Sequence, residues 1–149
     1  MYDNEYYMKY AIEAAKTSGE DLPVGAVIVR QNEIIASAHN EKEAKNNSIL
    51  HAEINALQIA QEKLGTWRLN DCIMYVTFEP CPMCAWAVIQ SRINTLYFGA
   101  YDLKYGALGS MLDLRQIANS NLIVKGGICE QECSDLLKKY MSEMRKKNL

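Results

Sequence analysis

The chain has 149 residues, a length typical of one domain, and we expect a single domain over residues 1–149. Apolar residues make up 49% of the sequence and charged residues 23%, which excludes a disordered protein and is typical of a soluble globular one. The formal net charge of −2 gives no support to a protein that binds phosphate backbones over its whole surface, although a local basic patch remains compatible with it.

The first half of the chain predicts a helix, a hairpin and a second helix. The first helix covers residues 5–17, because apolar side chains recur at helical spacing on one face. The members of this stripe are Tyr7, Tyr10, Ala11, Ala14 and Ala15. Strands are predicted over 23–29 and 33–38, and the Gln-Asn dipeptide at 31–32 suits a tight hairpin turn. A polar loop separates the hairpin from a second helix over 51–63.

The second half of the chain alternates strands with helices. Its predicted elements are a strand over 72–78, a helix over 82–91, a strand over 94–98, a short strand over 121–124 and a helix over 130–147. Residues 99–110 contain three glycines and predict a functional loop. Because strands alternate with helices after an initial hairpin, we predict the α/β class with a mixed sheet.

The numbers of cysteines and histidines limit the kinds of site that the chain can form. The only histidines are His39 and His51. The five cysteines are Cys72, Cys81, Cys84, Cys129 and Cys133. An odd number of cysteines, without a basic-then-apolar export signal, predicts a cytoplasmic protein whose thiols serve metal or redox chemistry. No apolar run approaches the roughly 20 residues of a membrane-spanning helix, so we expect no membrane contact.

A metal-binding pattern is formed by His51 and by Pro-Cys-Pro-Met-Cys at 80–84. Zinc binds histidine nitrogen and cysteine thiolate, and a catalytic site uses three protein ligands and leaves the fourth position to water. Cys81 and Cys84 are three residues apart at a predicted helix start, so their sulfurs lie on one face and can share a metal ion. Pro82 fits the first helical position, and the positive helix end favours thiolates. The pattern therefore predicts one zinc ion held by His51, Cys81 and Cys84.

Glu53 follows His51 at a spacing of two residues, which places side chains on nearly opposite faces of a helix. The two can meet at one site only if both lie in the first turn and reach past the N-terminus of the helix. Glu53 would then stand beside the metal-bound water without binding the metal, in the position of a general base.

Each part of this pattern has a less specific interpretation when taken alone. A lone C-x-x-C in a cytoplasmic protein is at least as often a redox pair or half of a structural zinc site. A lone H-x-E carries no information. Here the two occur in the order and in the helix–strand–helix frame that the chemistry requires, and no second C-x-x-C completes a four-ligand structural site. The pattern predicts a catalytic site.

H-x-E followed by P-C-x-x-C is the signature of the zinc deaminases, and the sequence resembles the bacterial tRNA adenosine deaminases well beyond it. The similar segments are Pro-Val-Gly-Ala-Val at 23–27, Asn40, His-Ala-Glu-Ile-Asn-Ala-Leu at 51–57, Trp-Arg-Leu at 67–69, Tyr-Val-Thr-Phe-Glu-Pro-Cys-Pro-Met-Cys-Ala at 75–85 and the segment 96–110. The resemblance covers nearly the whole chain. It implies a cytidine-deaminase-like fold with three α/β/α layers and a mixed, roughly five-stranded sheet.

The resemblance implies hydrolytic deamination of the wobble adenosine to inosine, with a tRNA anticodon stem-loop as partner. His51, Cys81 and Cys84 would hold one Zn²⁺ per subunit, and Glu53 would shuttle protons between zinc-activated hydroxide and the base. The substrate-binding residues that it implies are Asn40 at the flipped nucleoside, the Ala52 backbone at the base edge, Val24 and Phe78 along the base pocket, and Asp102 and Lys104 at the anticodon-loop backbone.

The resemblance also implies a homodimer whose active sites draw on both chains. The predicted helix after Cys81 is apolar on most sides, and such a helix is buried either in the core or in a subunit contact. Its apolar residues are Met83, Trp86, Val88 and Ile89. Basic residues also cluster in the last helix, where they form either a solvated face or a surface for an RNA backbone. They are Lys138, Lys139, Arg145, Lys146 and Lys147.

The sequence departs from the family's pattern in places that bear on RNA and leave the zinc chemistry unchanged. The departures are Glu20-Asp21 where a basic residue can contact tRNA, Asn-Ser-Ile-Leu before His51, a short 110–126 segment without an Asn-His pair, and Tyr140-Met141 in place of an aromatic pair. Three alternatives therefore stay open: a zinc deaminase of a free base or nucleoside such as guanine or cytosine, a redox C-x-x-C protein, and a catalytically silent RNA-binding module.

Overall fold

A computed structural model describes residues 2–148; Met1 and Leu149, the ends of the predicted 1–149 domain, lie outside the described residues. One sheet contains five strands in the order β2-β1-β3-β4-β5. They are β1 (Gly25–Arg30), β2 (Glu33–His39), β3 (Cys72–Phe78), β4 (Thr95–Ala100) and β5 (Ile123–Lys125). β1 is antiparallel to β2 and β3, whereas β3, β4 and β5 are parallel. The predicted α/β class with a mixed sheet is confirmed.

Helices cover both faces of this sheet. They are α1 (Asn4–Ala15), α2 (Ala52–Leu64), α3 (Pro82–Gln90), α4 (Leu114–Ala118) and α5 (Glu130–Lys147). α1 and α5 pack on one face, against alternate strand residues such as Val27 and Tyr75. α2 and α3 pack on the other face, against Ala26, Ile28 and Met74. Successive strand residues point to opposite faces of a sheet. Strands that are apolar throughout therefore make both faces of the sheet apolar, and helices bury both faces. The fold thus has three layers, with the sheet between two layers of helices.

The hairpin between β1 and β2 forms where it was predicted. Gln31 and Asn32 have φ angles of 51° and 65°. Two consecutive positive φ angles belong to the type of turn that matches the twist of a two-residue hairpin, and asparagine tolerates them better than most residues.

The predicted apolar stripe of α1 is wrong in part. Tyr10 is 47% exposed, whereas Met8 and Ile12, which the stripe omitted, are buried. The helix also ends at Ala15, two residues earlier than predicted. The buried face is shifted around the helix axis because the sequence offers apolar residues on both of its sides.

The segment after the glycine-containing loop, to which the sequence assigned no element, contains a helix. This is the short helix α4, whose N-terminus is capped by Asp113 through a 3.1 Å hydrogen bond donated by the Arg115 backbone N–H. β5 starts two residues later than the predicted 121–124 strand.

One edge of the sheet collects the residues of interest. Because β1 is antiparallel to β2 and β3, its N-terminal end lies beside the C-terminal ends of β2, β3 and β4. The flanking residues at this edge are Val24, Asn40, Glu79 and Tyr101. The carboxyl edge of parallel strands is a frequent place for ligands in α/β sheets. Among the helices within residues 2–148, none is long and apolar enough to cross a membrane.

Candidate active site

Three metal-ligating side chains meet where two helices begin. His51 is the N-cap of α2 and Cys81 the N-cap of α3, and Cys84 is the third residue of α3. His51 Nδ1 lies 3.7 Å from Cys81 Sγ and 3.4 Å from Cys84 Sγ. The structure therefore brings together the three ligands that the sequence predicted, with Pro82 at the first helical position.

This triad fits a zinc ion. All three ligand atoms lie within 4.8 Å of one another. A tetrahedral zinc ion, at about 2.3 Å from sulfur and about 2.0 Å from nitrogen, separates such ligand atoms by about 3.5 Å. Three protein donors also leave a fourth position for water, which distinguishes a catalytic zinc site from a closed structural one. The geometry of the triad thus suits a zinc site of the catalytic type.

The electrostatics of the two thiols suit metal binding. The hydrogen bond from Cys84 lowers the pKa of Cys81 to about 4, and the neighbouring His51 adds to the effect. The same hydrogen bond, with burial, raises the pKa of Cys84 above its usual range. The bond to the Cys81 thiolate in turn raises the pKa of His51. Cys81 is therefore a thiolate, the form that binds metal ions.

Glu53 lies beside the triad as the second residue of α2 and is only 4% exposed. Burial raises its pKa to about 7, and the nearby Cys81 thiolate adds to the increase. A carboxyl group with this pKa both accepts and returns a proton near neutral pH, as a general acid and base must. His51 and Glu53 share the first turn of α2, which is the arrangement that their two-residue spacing required.

A cavity of about 810 Å³ opens onto this site. Its size is within the range of small-molecule sites. The predicted site residues that line it are His51, Glu53, Cys81, Val24, Asn40, Phe78, Asp102 and Lys104. Cys84 and Ala52 are fully buried behind the lining.

Asn40 is held in one orientation by two hydrogen bonds. Its Oδ1 accepts from the Ala52 N–H at 2.7 Å, and its Nδ2 donates to the Leu22 carbonyl oxygen at 3.0 Å. One Nδ2 hydrogen remains free to meet a ligand in the cavity. The N–H of Ala52, by contrast, is already engaged by Asn40.

Several cavity residues were given no role by the sequence. They are Leu22, Lys42, Glu43, Glu79, Tyr105 and Met144. Glu79 is the most buried polar residue among them, at 2% exposure. A charged residue between an apolar strand and a metal-ligand motif is the signal that could have drawn attention to it, because a buried carboxylate requires several hydrogen-bond donors.

Two of the departures from the family's pattern meet each other at the cavity. The Tyr140 hydroxyl donates to the Glu20 carbonyl oxygen at 3.3 Å, and Lys147 Nζ lies 3.1 Å from Glu20 Oε2. Tyr140, Met141 and Glu20 all line the cavity. Helix α5 therefore forms one of its walls, and a lysine of α5 pairs with the acidic residue at position 20.

Helix α3 is not buried on all sides within the chain. Cys84, Ala85, Val88 and Ile89 are buried, whereas Trp86 is 45% and Met83 37% exposed. A helix that is apolar on most sides is buried in the core or in a subunit contact. In α3 the core of this chain buries only one side. The basic residues of α5 named above are exposed.

Comparison with known proteins gives the same family throughout. The family of the cytidine and deoxycytidylate deaminase zinc-binding region matches residues 1–100. The tRNA-specific adenosine deaminase of Bacillus subtilis (strain 168) is 46% identical over 99% of this chain and 94% of its own length. That of Aquifex aeolicus (strain VF5) is 38% identical over 95% of each chain.

Solved structures also resemble this fold. One, from a study of A-to-I editing by tRNA:A34 deaminases at the wobble position of transfer RNA, has a TM-score of 0.82 and 36% identity, covering 89% of this chain and 99% of that one. A guanine deaminase from Nitrosomonas europaea has a TM-score of 0.81 and 25% identity, covering 94% and 85%. The chain belongs to the zinc-binding cytidine and deoxycytidylate deaminase family and, within it, is similar over nearly its whole length to tRNA-specific adenosine deaminases.

Proposed function

We propose that this chain is a single deaminase domain that hydrolyses the wobble adenosine of a tRNA anticodon loop to inosine. The observation that carries the proposal is the buried Glu53 beside the His51, Cys81 and Cys84 triad, at a cavity large enough to admit a nucleoside. The tRNA-specific adenosine deaminases that are similar over nearly the whole chain support the choice of substrate. We place the enzyme in the cytoplasm, where its tRNA would be found.

Metal binding and proton transfer are carried out by different residues of the chain. His51, Cys81 and Cys84 would hold the zinc ion, which would lower the pKa of water toward roughly 7 and so supply hydroxide at neutral pH. Glu53 accepts the proton of the attacking water and transfers it to N1 of adenine, which makes C6 electrophilic. After the water oxygen has added to C6, Glu53 takes the remaining proton from the new C6 hydroxyl group and delivers it to the departing amine. The C6–N6 bond breaks, and adenosine and water become inosine and ammonia.

Substrate binding falls to residues around the cavity. The free Nδ2 hydrogen of Asn40 would bind the nucleoside, and Val24 and Phe78 would contact the base. Asp102 and Lys104 would contact the anticodon-loop backbone. The base must leave its stack to enter, which costs less in a loop than in a paired stem.

A second candidate function is the deamination of a free base. The acidic character of the cavity favours it, because six carboxylates and two lysines line the cavity. The likeness to a guanine deaminase points the same way. Against it, part of this negative charge is compensated within the chain: Lys147 pairs with Glu20, and the buried Asp21 accepts the N–H groups of Glu43 and Ala44. The charge left to repel RNA is smaller than the count suggests.

We further propose that the enzyme is a homodimer. Trp86 and Met83 lie exposed on α3, the helix that carries two of the zinc ligands. A large aromatic side chain exposed on an otherwise apolar helix is typical of a contact surface. A second copy covering this side of α3 would stand next to the zinc site, as an active site shared between two chains requires.

Substrate choice decides between these functions. Zinc-loaded protein is incubated with an anticodon stem-loop carrying adenosine at the wobble position, and in parallel with guanine, cytosine, adenosine and cytidine, and released ammonia is measured. A stem-loop with guanosine at the wobble position is the matched control. Ammonia and inosine from the adenosine stem-loop alone support the proposal. Turnover of a free base with an untouched stem-loop would overturn the RNA assignment and leave the zinc site standing.

A further inference from the structure

Glu79 is a buried carboxylate whose partners all belong to one loop. It follows β3 and precedes the zinc-ligand segment, and it is 2% exposed. Its Oε1 accepts from the Asp102 N–H at 3.1 Å and from the Ser110 hydroxyl. Its Oε2 accepts from the N–H groups of Leu108 and Ser110 at 3.2 and 3.1 Å. The four donors lie within the segment 101–110, called the 101–110 loop below.

The loop is packed directly on this carboxylate. A Cβ atom at Gly106 would overlap the Glu79 carboxylate and the Asp102 carbonyl oxygen, so only glycine fits there. The Ala107 N–H donates to the Pro80 carbonyl oxygen at 2.9 Å, one residue before a zinc ligand. Residues 106–108 of the loop are buried, and residues 103–105 form its exposed tip.

Asp102 connects the Glu79 carboxylate to residues 103–105 at the tip of the loop. Its backbone N–H is bound to Glu79, and its Oδ1 accepts from the N–H groups of Lys104 and Tyr105 at 3.1 and 3.0 Å. Lys104 and Tyr105 line the cavity together with Asp102. The chain of contacts thus runs from Glu79 through Asp102 to the two side chains at the tip.

Glu79 has no free capacity for chemistry of its own. Both of its oxygens are taken by loop donors, so it neither moves a proton nor binds metal. We propose that Glu79 is a positioning residue that holds the 101–110 loop over the cavity, so that Lys104 and Tyr105 meet the RNA. This inference rests on the proposed function for the identity of the ligand, and on the structure alone for the anchoring of the loop.

Glutamine at this position should release one end of the loop. In Glu79→Gln, an NH₂ group replaces one of the two acceptors. At the place of Oε2 it would face two N–H groups, those of Leu108 and Ser110. At the place of Oε1 it would face the Asp102 N–H and the Ser110 hydroxyl, which can rotate and accept instead. The second orientation leaves a single N–H unpaired, so Asp102 and the tip should be freed.

Hydrogen exchange of the zinc-loaded protein tests the anchoring without any substrate. In Glu79→Gln, we expect exchange of the amides of Asp102, Lys104 and Tyr105 to accelerate roughly tenfold, as one lost buried hydrogen bond implies, with β3 and α2 unchanged. Glu13→Gln, an exposed change of the same charge on α1, is the matched control. Unaltered exchange in the loop would overturn the inference, as would acceleration spread evenly over the sheet.

Steady-state kinetics test the role in recognition. For the adenosine stem-loop we expect KM to rise roughly tenfold, with kcat within about twofold and zinc content unchanged, because binding contacts alone are loosened. A fall in kcat at constant KM, or loss of zinc, would contradict a positioning role. If the wild-type protein ignores the stem-loop, the proposed function fails, while hydrogen exchange still decides the anchoring.

A second variant keeps the inference testable if Glu79→Gln does not fold. Ser110→Ala removes a single donor and leaves the three backbone donors in place. We expect faster exchange in residues 108–110 and a smaller rise in KM than for the glutamine variant. If these residues exchange in Ser110→Ala at the same rates as in the wild type, the proposed anchoring of the loop is wrong.

Discussion

The backbone N–H of Ala52 and the side-chain Oδ1 of Asn40 are 2.7 Å apart, so the first turn of the zinc-ligand helix α2 and a cavity asparagine form one hydrogen-bonded unit. The same side chain donates to the Leu22 carbonyl oxygen at 3.0 Å. Asn40 therefore joins the segment before β1 to the start of α2. A change at this residue should alter both stability and substrate binding.

Asn40→Asp tests this double role. The acceptor for Ala52 is kept, but an oxygen replaces Nδ2 and faces the Leu22 carbonyl oxygen. We expect the free energy of unfolding to fall by about 1–3 kcal/mol, because a buried acceptor loses its donor, and kcat/KM for the stem-loop to fall as well. Urea denaturation of zinc-loaded protein measures the first, with the exposed Asn70→Asp as control. An unfolding curve equal to that of the wild type would refute the structural part.

Glu53→Gln should separate catalysis from metal binding. Glutamine keeps the shape of the side chain but does not accept and return a proton, so we expect turnover to fall by a factor of about 10² to 10⁴. Zinc content should remain one ion per chain, because Glu53 is not a ligand. Metal analysis and inosine formation measure the two effects, and Glu62→Gln, exposed on the same helix, is the control. Near-normal turnover would remove Glu53 from the mechanism.

Cysteine alkylation should report the thiolate of the metal-free protein. The pKa of Cys81, lowered to about 4, makes it a thiolate throughout the range from about pH 5 to about pH 8, so its alkylation rate should barely change with pH. Burial raises the pKa of Cys72 to about 11 and that of Cys133 to about 12, and both should stay unmodified.

Zinc is the control for this experiment, since the bound ion should protect Cys81. Peptide mapping by mass spectrometry after treatment with iodoacetamide measures the rates. An alkylation rate of Cys81 that rises about tenfold per pH unit over this range would indicate an ordinary thiol. All five cysteines are free in the structure, so no disulfide competes with the reagent.

Lys104 should contribute a salt-dependent contact. It lies exposed at the tip of the 101–110 loop, with Nζ 5.1 Å from the centre of the Tyr105 ring. In the Glu53→Gln background, Lys104→Ala should weaken stem-loop binding, and the slope of log Kd against log salt should shrink by roughly 0.7 to 1. Fluorescence anisotropy at several salt concentrations measures this. The control is Lys9→Ala, exposed on α1, which should keep the slope of the Glu53→Gln background. Equal slopes for the background, Lys104→Ala and Lys9→Ala would argue against a phosphate contact of Lys104.

Trp86→Glu should dissociate the proposed dimer. A charge on the exposed side of α3 would have to be buried without a partner in the contact, which is costly. We expect sedimentation equilibrium to give the mass of a dimer for the wild type and of a monomer for the variant. Tyr10→Glu, on the exposed side of α1, is the control. A monomeric wild type would refute the dimer, and an unchanged dimer in the variant would refute the contact at α3.

Each half of the zinc site was predictable because it depends on a short spacing, whereas the meeting of His51 with Cys81 and Cys84, thirty or more residues later, was expected from the order of the two motifs. His51 and Glu53 converge since both lie in one helical turn, and Cys81 and Cys84 converge since three residues separate them at a helix start. The hairpin was predictable for a similar reason, because its turn depends on two adjacent residues. Local rules suffice where every participant is local.

Contacts between segments that are distant along the chain were not predictable from the sequence. The role of Glu79 depends on donors more than twenty positions later, between Asp102 and Ser110. The exposed side of α1 was misplaced because Tyr10 and Met8 are both apolar, and packing against the sheet selects Met8. α4 is only five residues long, too short for a periodic pattern, and its cap Asp113 is recognised only once the helix is known.

The wall that α5 contributes to the cavity has a consequence for biosynthesis. All zinc ligands and Glu53 lie at or before residue 84, whereas Tyr140, Met141 and Met144 are translated long after them. α5 docks on β4 at Gly99, where a Cβ atom would overlap the Cys133 side chain. On the ribosome, the metal ligands therefore emerge well before the substrate cavity is complete. The wall that α5 contributes is thus the last part of the cavity to be synthesised.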